Sequence, residues 1–137
     1  MASFMKQVVL LTLLFLLSMT MSSDGLDLGR KTRHITISNG LDKDLTVHCK
    51  SGDDDIGAKT LPISGVYEFS FKPRVLPKTT LYFCSFQWED HFHYYDVYYE
   101  GIDCSECMYS VKALGRVASI CWYNWETQKD DCFLLNN

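Results

Sequence analysis

Three consecutive aspartates, four histidines and six cysteines hold most of this chain's capacity for chemistry. The aspartates fall in VHCKSGDDDIG, residues 47–57, where Asp53, Asp54 and Asp55 follow His48 and Cys49. Carboxylates in a row suggest Ca²⁺, but an EF-hand loop needs alternating ligands, a central glycine and a bidentate glutamate at its twelfth position. Counted from Asp53, that position is Ser64. Aspartates also favour turns by bonding to their own backbone, and Gly52 and Gly57 relieve strain at either end. Ser51 to Gly57 is therefore read as an exposed, charged turn.

The second cluster is EDHFHYYD, which gathers Glu89, Asp90, His91, His93 and Asp96. On a strand, His91 and His93 point to one face, the parity needed to share a metal ion. That would suit a small secreted metal-binding or hydrolytic defence protein. Two ligands do not make a site, and a polar hairpin tip accounts for the same residues. A ribonuclease-like use of His48 would need another histidine in the same cleft, of which the sequence has no sign. Neither G-x-S-x-G nor H-E-x-x-H occurs. The expectation is a non-enzyme with no cofactor and no metal, the pair His91 and His93 being the alternative.

These residues must be positioned by strands, because nearly every periodic stretch after residue 30 has period two. HITIS sets Ile35 and Ile37 against His34, Thr36 and Ser38. LTVHCKS sets Leu45, Val47 and Cys49 against Thr46, His48 and Lys50, and VYEFSFK sets Tyr67, Phe69 and Phe71 against Glu68, Ser70 and Lys72. TTLYFCSFQW is apolar on both sides, as a central strand covered on both faces would be. HYYDVYY, MYSVKAL and RVASICWYNW are further strands. Breakers separate them at Asn39-Gly40, Ser51 to Gly57, Ser64-Gly65, Pro73, Pro77, Gly101 and Gly115. The pattern predicts an all-β fold, a small disulfide-stabilised antiparallel β-sandwich of seven to eight strands.

The first residues bear on compartment. Lys6 precedes an apolar run from Val8 to Leu17, and the small residues Thr20 and Ser22 stand where signal peptidase cuts. Residues 1–22 are read as a secretory signal and 23–137 as the domain. The run is too short to span a bilayer, and no later segment is apolar enough. Loss of Lys6 makes the remaining chain one unit more acidic than the formal −4. An acidic chain repels nucleic acid unless it has a basic patch, and GRKTRH, with Arg30, Lys31 and Arg33, reads equally as an arm before the first strand.

All six cysteines, at 49, 84, 104, 107, 121 and 132, come after that leader, and an even count in an oxidising compartment implies three disulfides. A redox or zinc reading of Cys104-Ser105-Glu106-Cys107 would need a second pair or a thioredoxin-like context, and neither is present. Cys121 and Cys132 lie symmetrically about Glu126-Thr127, so a hairpin turning near Glu126 to Lys129 would oppose them.

Taken together, VHCKSGDDDIG, YEFSFK, TTLYFCSFQW and YDVYYEGIDCSEC resemble the plant self-incompatibility S1 family, the S-protein homologues, from about His34 to Gly115. The family's His-Cys-x-Ser and Asp-Asp-x-Gly block is matched by His48, Cys49, Ser51, Asp54, Asp55 and Gly57. Its Phe-Cys-Ser-Phe block is matched by Phe83, Cys84, Ser85 and Phe86, and its closing C-x-x-C by Cys104 and Cys107. Tyr109 stands where the family usually has tryptophan, and Cys121 and Cys132 are additional to the usual four. The resemblance implies a small secreted β-sandwich acting as a signalling ligand; the best-known member is the female determinant that triggers rejection of self pollen.

A ligand of this kind implies a cell-surface receptor on another plant cell. Loops on a rigid scaffold tend to carry recognition. Asp53, Asp54 and Asp55, then Glu89, Asp90, His91 and His93, then Glu100, Asp103 and Glu106 are the expected recognition residues, with Tyr94, Tyr98 and Tyr99 as an aromatic surface, although Tyr99 suits the core equally. Three connectivities are open to the four family-like cysteines. Joining Cys104 to Cys107 would make a very small ring and leave Cys49 to Cys84. Shared parity with Val47, Tyr109 and Val111 favours Cys49 to Cys107, leaving Cys84 to Cys104.

Overall fold

A computed structural model describes residues 2–20, 31–74 and 79–135. The chain divides into two units, Met1–Arg30 and Lys31–Asn137. The first contains α1 (Ala2–Thr20), and no described helix is long and apolar enough to cross a membrane. The expected cleavage point after Ser22, Arg30 of the basic stretch and the breaker Pro77 lie outside the described residues.

In the second unit nine strands are described: β1 (Arg33–Asn39), β2 (Leu45–Lys50), β3 (Asp55–Leu61), β4 (Val66–Phe71), β5 (Tyr82–Trp88), β6 (His91–Tyr98), β7 (Glu106–Leu114), β8 (Val117–Asn124) and β9 (Lys129–Leu134). They form a five-stranded sheet, in the order β4-β1-β7-β8-β9, and a four-stranded sheet, β3-β2-β5-β6. The all-β expectation holds with two refinements: nine strands are described where seven to eight were expected, and β1 and β7 run parallel while every other described pair is antiparallel.

Alternation selects the core. Ile35 and Ile37 of β1, Leu45, Val47 and Cys49 of β2, Phe86 of β5, and Val111 and Ile120 of β7 and β8 are all buried in one cluster drawn from both sheets. β5 differs from expectation. Its Tyr82, Cys84, Phe86 and Trp88 are buried, but Phe83 and Ser85 are only half-buried and Gln87 is exposed, so one face meets solvent. The even distribution of apolar residues in TTLYFCSFQW arises because an outward Phe83 packs along the sheet surface beneath the Lys50 ammonium, 5.6 Å from the ring centre.

The strand β3 was hidden in the sequence, since DIGAKTL has neither alternation nor bulk. It forms by pairing with β2 along Leu45↔Leu61 to Cys49↔Gly57, with a register shift where Lys50 meets Asp55. β6 begins at His91, earlier than HYYDVYY suggests, and a bulge displaces its end: Tyr82 pairs with Tyr98 and Phe83 with Asp96, leaving Val97 over. The extra residue reverses the parity of everything after it. Tyr98, expected on the surface, is therefore buried against Phe71, and Tyr99 is exposed. Tyr109 of β7 reaches across the interior to donate its hydroxyl to the bulged Val97 carbonyl at 2.6 Å, and burial pushes its phenol pKa upward.

The sequence breaker Asn39-Gly40 is a junction. Asn39 is buried; its side-chain amide donates to the carbonyls of Lys43, Leu61 and Pro62, and its Oδ1 accepts from the Leu41 amide at 2.9 Å. One side chain thus ties the end of β1 to both neighbouring connections. A Cβ on Gly40 would stand 2.8 Å from the Val111 carbonyl oxygen, so only glycine fits without movement.

The disulfides correct one expectation. Cys49 pairs with Cys84 and Cys104 with Cys107, so the bridges Cys49–Cys107 and Cys84–Cys104 are not formed. Inward parity, used to join Cys49 to Cys107, is shared by every core-facing cysteine and cannot choose among them. Register does choose: Cys49 and Cys84 are direct partners across β2 and β5, with Cα atoms 4.0 Å apart, whereas Cys107 lies in the other sheet opposite Ile35. Cys121 and Cys132 are likewise opposed, Cα to Cα 4.0 Å, in the hairpin that turns at 125–128.

Peptide mapping of the non-reduced protein should recover 49–84, 104–107 and 121–132, and Cys121→Ser/Cys132→Ser should fold with a loss of at most about 3 kcal/mol, because the loop it closes is short. Asn39→Ala should cost at least about 2 kcal/mol in chemical denaturation, since it strips partners from several buried polar groups at once.

Candidate functional site

The expected recognition residues lie at separate points, and each has its own geometry. In the first turn the Ser51 hydroxyl accepts from the amides of Asp53 and Asp54, at 3.3 and 3.0 Å, and the Ser51 amide donates to the Asp54 carbonyl at 2.7 Å. The three carboxylates then diverge. Asp53 pairs with Arg74, Asp54 accepts from the Tyr82 hydroxyl at 3.3 Å, and Asp55, the first residue of β3, accepts from the Gly57 amide at 2.9 Å and meets His48 Nε2 at 2.6 Å. The His48 bond, with a smaller contribution from that of Gly57, holds the Asp55 carboxyl below its usual pKa. Gly57 needs its positive φ of 97°, and its carbonyl accepts from the Tyr67 hydroxyl at 2.5 Å. This is a hydrogen-bonded corner rather than an ion cage.

At the β5–β6 turn, Glu89 adopts φ 47° and its carboxylate accepts from Lys43 at 3.0 Å, which raises the Lys43 pKa. His91 and His93 do share a face, as parity requires, but it is the inward one. They stack with Trp88, ring centres 4.9 and 5.3 Å from its own, and His93 is buried. Among the described residues no three His, Cys, Asp or Glu side chains converge to hold a metal ion, and nothing there supports the metal-binding or hydrolytic alternative.

The third segment is braced at its end. Cys104–Cys107 closes a tight loop, Arg33 donates to the Cys104 carbonyl at 2.9 Å and to Ser105 Oγ at 3.2 Å, and the His34 amide donates to the Ser105 carbonyl at 2.8 Å. Glu106 is the first residue of β7, not a loop residue, and lies 3.9 Å from His34; Glu100 and Asp103 are exposed.

One surface escaped sequence reasoning: the outer face of the four-stranded sheet. Register aligns Thr46, Gln87 and Phe92 in one row and His48, Ser85 and Tyr94 in the next. Phe92 and Tyr94 meet edge-on at 4.9 Å and remain exposed. The signal was present in the outward half of LTVHCKS, read there only as the complement of the core, and was masked in TTLYFCSFQW, which was read as covered on both faces.

The second unit is thus a β-sandwich braced by three disulfides, with polar groups on its turns and on the outer faces of its sheets. The chain belongs to the family described as plant self-incompatibility protein S1, whose model matches residues 34–137. It is similar to three proteins of Arabidopsis thaliana. S-protein homolog 5 is 43% identical over 52% of this chain and 57% of its own length. S-protein homolog 4 is 34% identical over 79% and 78%, and S-protein homolog 2 is 35% identical over 76% and 68%. No solved structure matches.

The aspartates of the first turn should separate in a melting experiment. Asp53→Asn/Asp54→Asn removes two exposed charges, including the solvent-exposed partner of Arg74, while leaving an acceptor for the Tyr82 hydroxyl, and should shift stability by about 0.5 kcal/mol or less, with no calcium dependence in the wild type. Asp55→Ala should lower the melting temperature more. Because the Asp55 pKa is depressed in the folded state, its contribution is present above the unfolded carboxylate pKa of about 3.9 and is lost as pH falls through the lower folded value. The gap between wild type and Asp55→Ala should therefore close below about pH 4.

Proposed function

We propose that this chain is a secreted recognition ligand, released after removal of residues 1–22, that signals to another plant cell by docking on a surface receptor without catalysing a reaction. The observation that carries the reading is the distribution of polar groups. Asp53 and Asp54, Glu89 and Asp90, and Glu100 and Asp103 lie on separate turns of a scaffold stapled by three disulfides, with Asp55 beside them at the start of β3, the arrangement expected where rigid loops present charge to a partner. Membership of the S1 family and a disulfide-rich fold accord with an extracellular site of action. Within that reading, the family description suggests pollen–pistil communication as the process.

Expression of the full chain in plant cells tests it. Intact-mass analysis of the medium should find a product beginning at Ser23. The labelled product should bind protoplasts saturably and be displaced by unlabelled protein, and most strongly on cells of reproductive tissue if the pollen–pistil assignment is right. Retention inside the cell with residues 1–22 attached, or binding that never saturates, would falsify the ligand reading.

A further inference from the structure

We infer that the free edge of β6 is a docking strand for an extended, basic peptide segment of the partner, an inference that rests on the recognition reading and gives the partner a chemistry. β6 ends its sheet, and among the described residues no strand pairs beyond it. Such an edge exposes unpaired amides and carbonyls, and proteins usually blunt it with lysine, proline or a bulge. The other edges are blunted. β3 has Lys59 and a register shift, β4 is six residues long and stops before Pro73, and β9 includes Lys129, Asp130 and Asp131. β6 has its bulge only at Val97, leaving His91 to Tyr95 regularly paired on one side and open on the other.

Its exposed side chains suit capture. Phe92, Tyr94 and Tyr99 are 45, 59 and 50% exposed, and tyrosine and phenylalanine give large contact area at little entropic cost. Strand addition draws affinity from main-chain hydrogen bonds and specificity from alternate side chains. Charge selects the occupant. Residues 79–111 contain six carboxylates and neither lysine nor arginine. Glu89 is engaged by Lys43 and Glu106 lies near His34, whereas Asp90, Asp96, Glu100 and Asp103 have no ion-pair partner among the described residues. A second copy added edge to edge would bring these like charges together. A basic segment is attracted by them instead.

The test uses the purified protein and an eight-residue probe of alternating lysine and valine. Hydrogen–deuterium exchange should show new protection within His91–Tyr98, and fluorescence polarisation should show affinity that falls with salt. Asp96→Lys/Glu100→Lys should weaken binding at least tenfold, and the gentler Asp96→Asn/Glu100→Gln should weaken it less, with folding checked by circular dichroism. An acidic glutamate–valine peptide should not bind, and a lysine–proline peptide of equal charge, lacking every second strand amide, should bind far less. Equal binding of the lysine–proline peptide, protection away from β6, unchanged affinity in a folded charge-reversed variant, or self-association that protects β6 without probe each overturns the inference. Absence of lysine–valine binding alongside saturable binding to cells overturns the docking strand and leaves the recognition reading in place.

Discussion

The parallel pairing of β1 with β7 is the contact on which the remaining architecture depends. Most other pairs are hairpins between strands adjacent in sequence, which close small loops; β1 meets β7 about 70 residues later, from His34↔Glu106 to Asn39↔Val111. That closure is entropically more costly, though the cost grows only slowly with length. It is offset by Ile35 and Ile37, which enter the core beside Cys107 and Tyr109, and by the bonds that Arg33 and the His34 amide make to Cys104 and Ser105. With β1 seated between β4 and β7, the second sheet has a complete inner surface to pack against.

The disulfides reinforce pairings that the backbone has already chosen. Two of them join residues directly opposed on adjacent antiparallel strands, and the third closes the turn that delivers the chain into β7. Polar side chains serve at the turns, where Ser51, Asp55 and Asn124 cap backbone amides and Lys43 and Arg74 tie loop to loop. A surface so braced presents fixed charge, which suits recognition better than a mobile loop because less order is lost on binding.

The Val97 bulge links packing to surface. By adding one residue to β6 it turns Tyr98 inward, opposite Tyr82 and against Phe71, and leaves Tyr99 exposed. The Tyr109 hydroxyl satisfies the carbonyl exposed at that irregularity. Tyr109 therefore acts as a hydrogen-bond donor from one sheet to the other.

Local periodicity and composition were enough for the sequence by itself to determine the strands with one buried face, the turns between them and one disulfide. Alternation in HITIS, LTVHCKS and VYEFSFK placed Ile35, Val47 and Tyr67 inside, the breakers marked the turns, and the spacing of Cys121 and Cys132 about Glu126-Thr127 contained its own hairpin. The blocks around Cys49, Cys84 and Cys104 were legible as a family pattern. Tertiary structure decided everything set by register between distant strands. It chose Cys84 over Cys107 as the partner of Cys49, since parity says which way a side chain points but not what stands opposite. It made a strand of DIGAKTL, whose residues have little preference until β2 lies beside them. It also sent Tyr98 inward and stacked His91 and His93 on Trp88, because one bulged residue and one buried ring change which face a sequence pattern addresses.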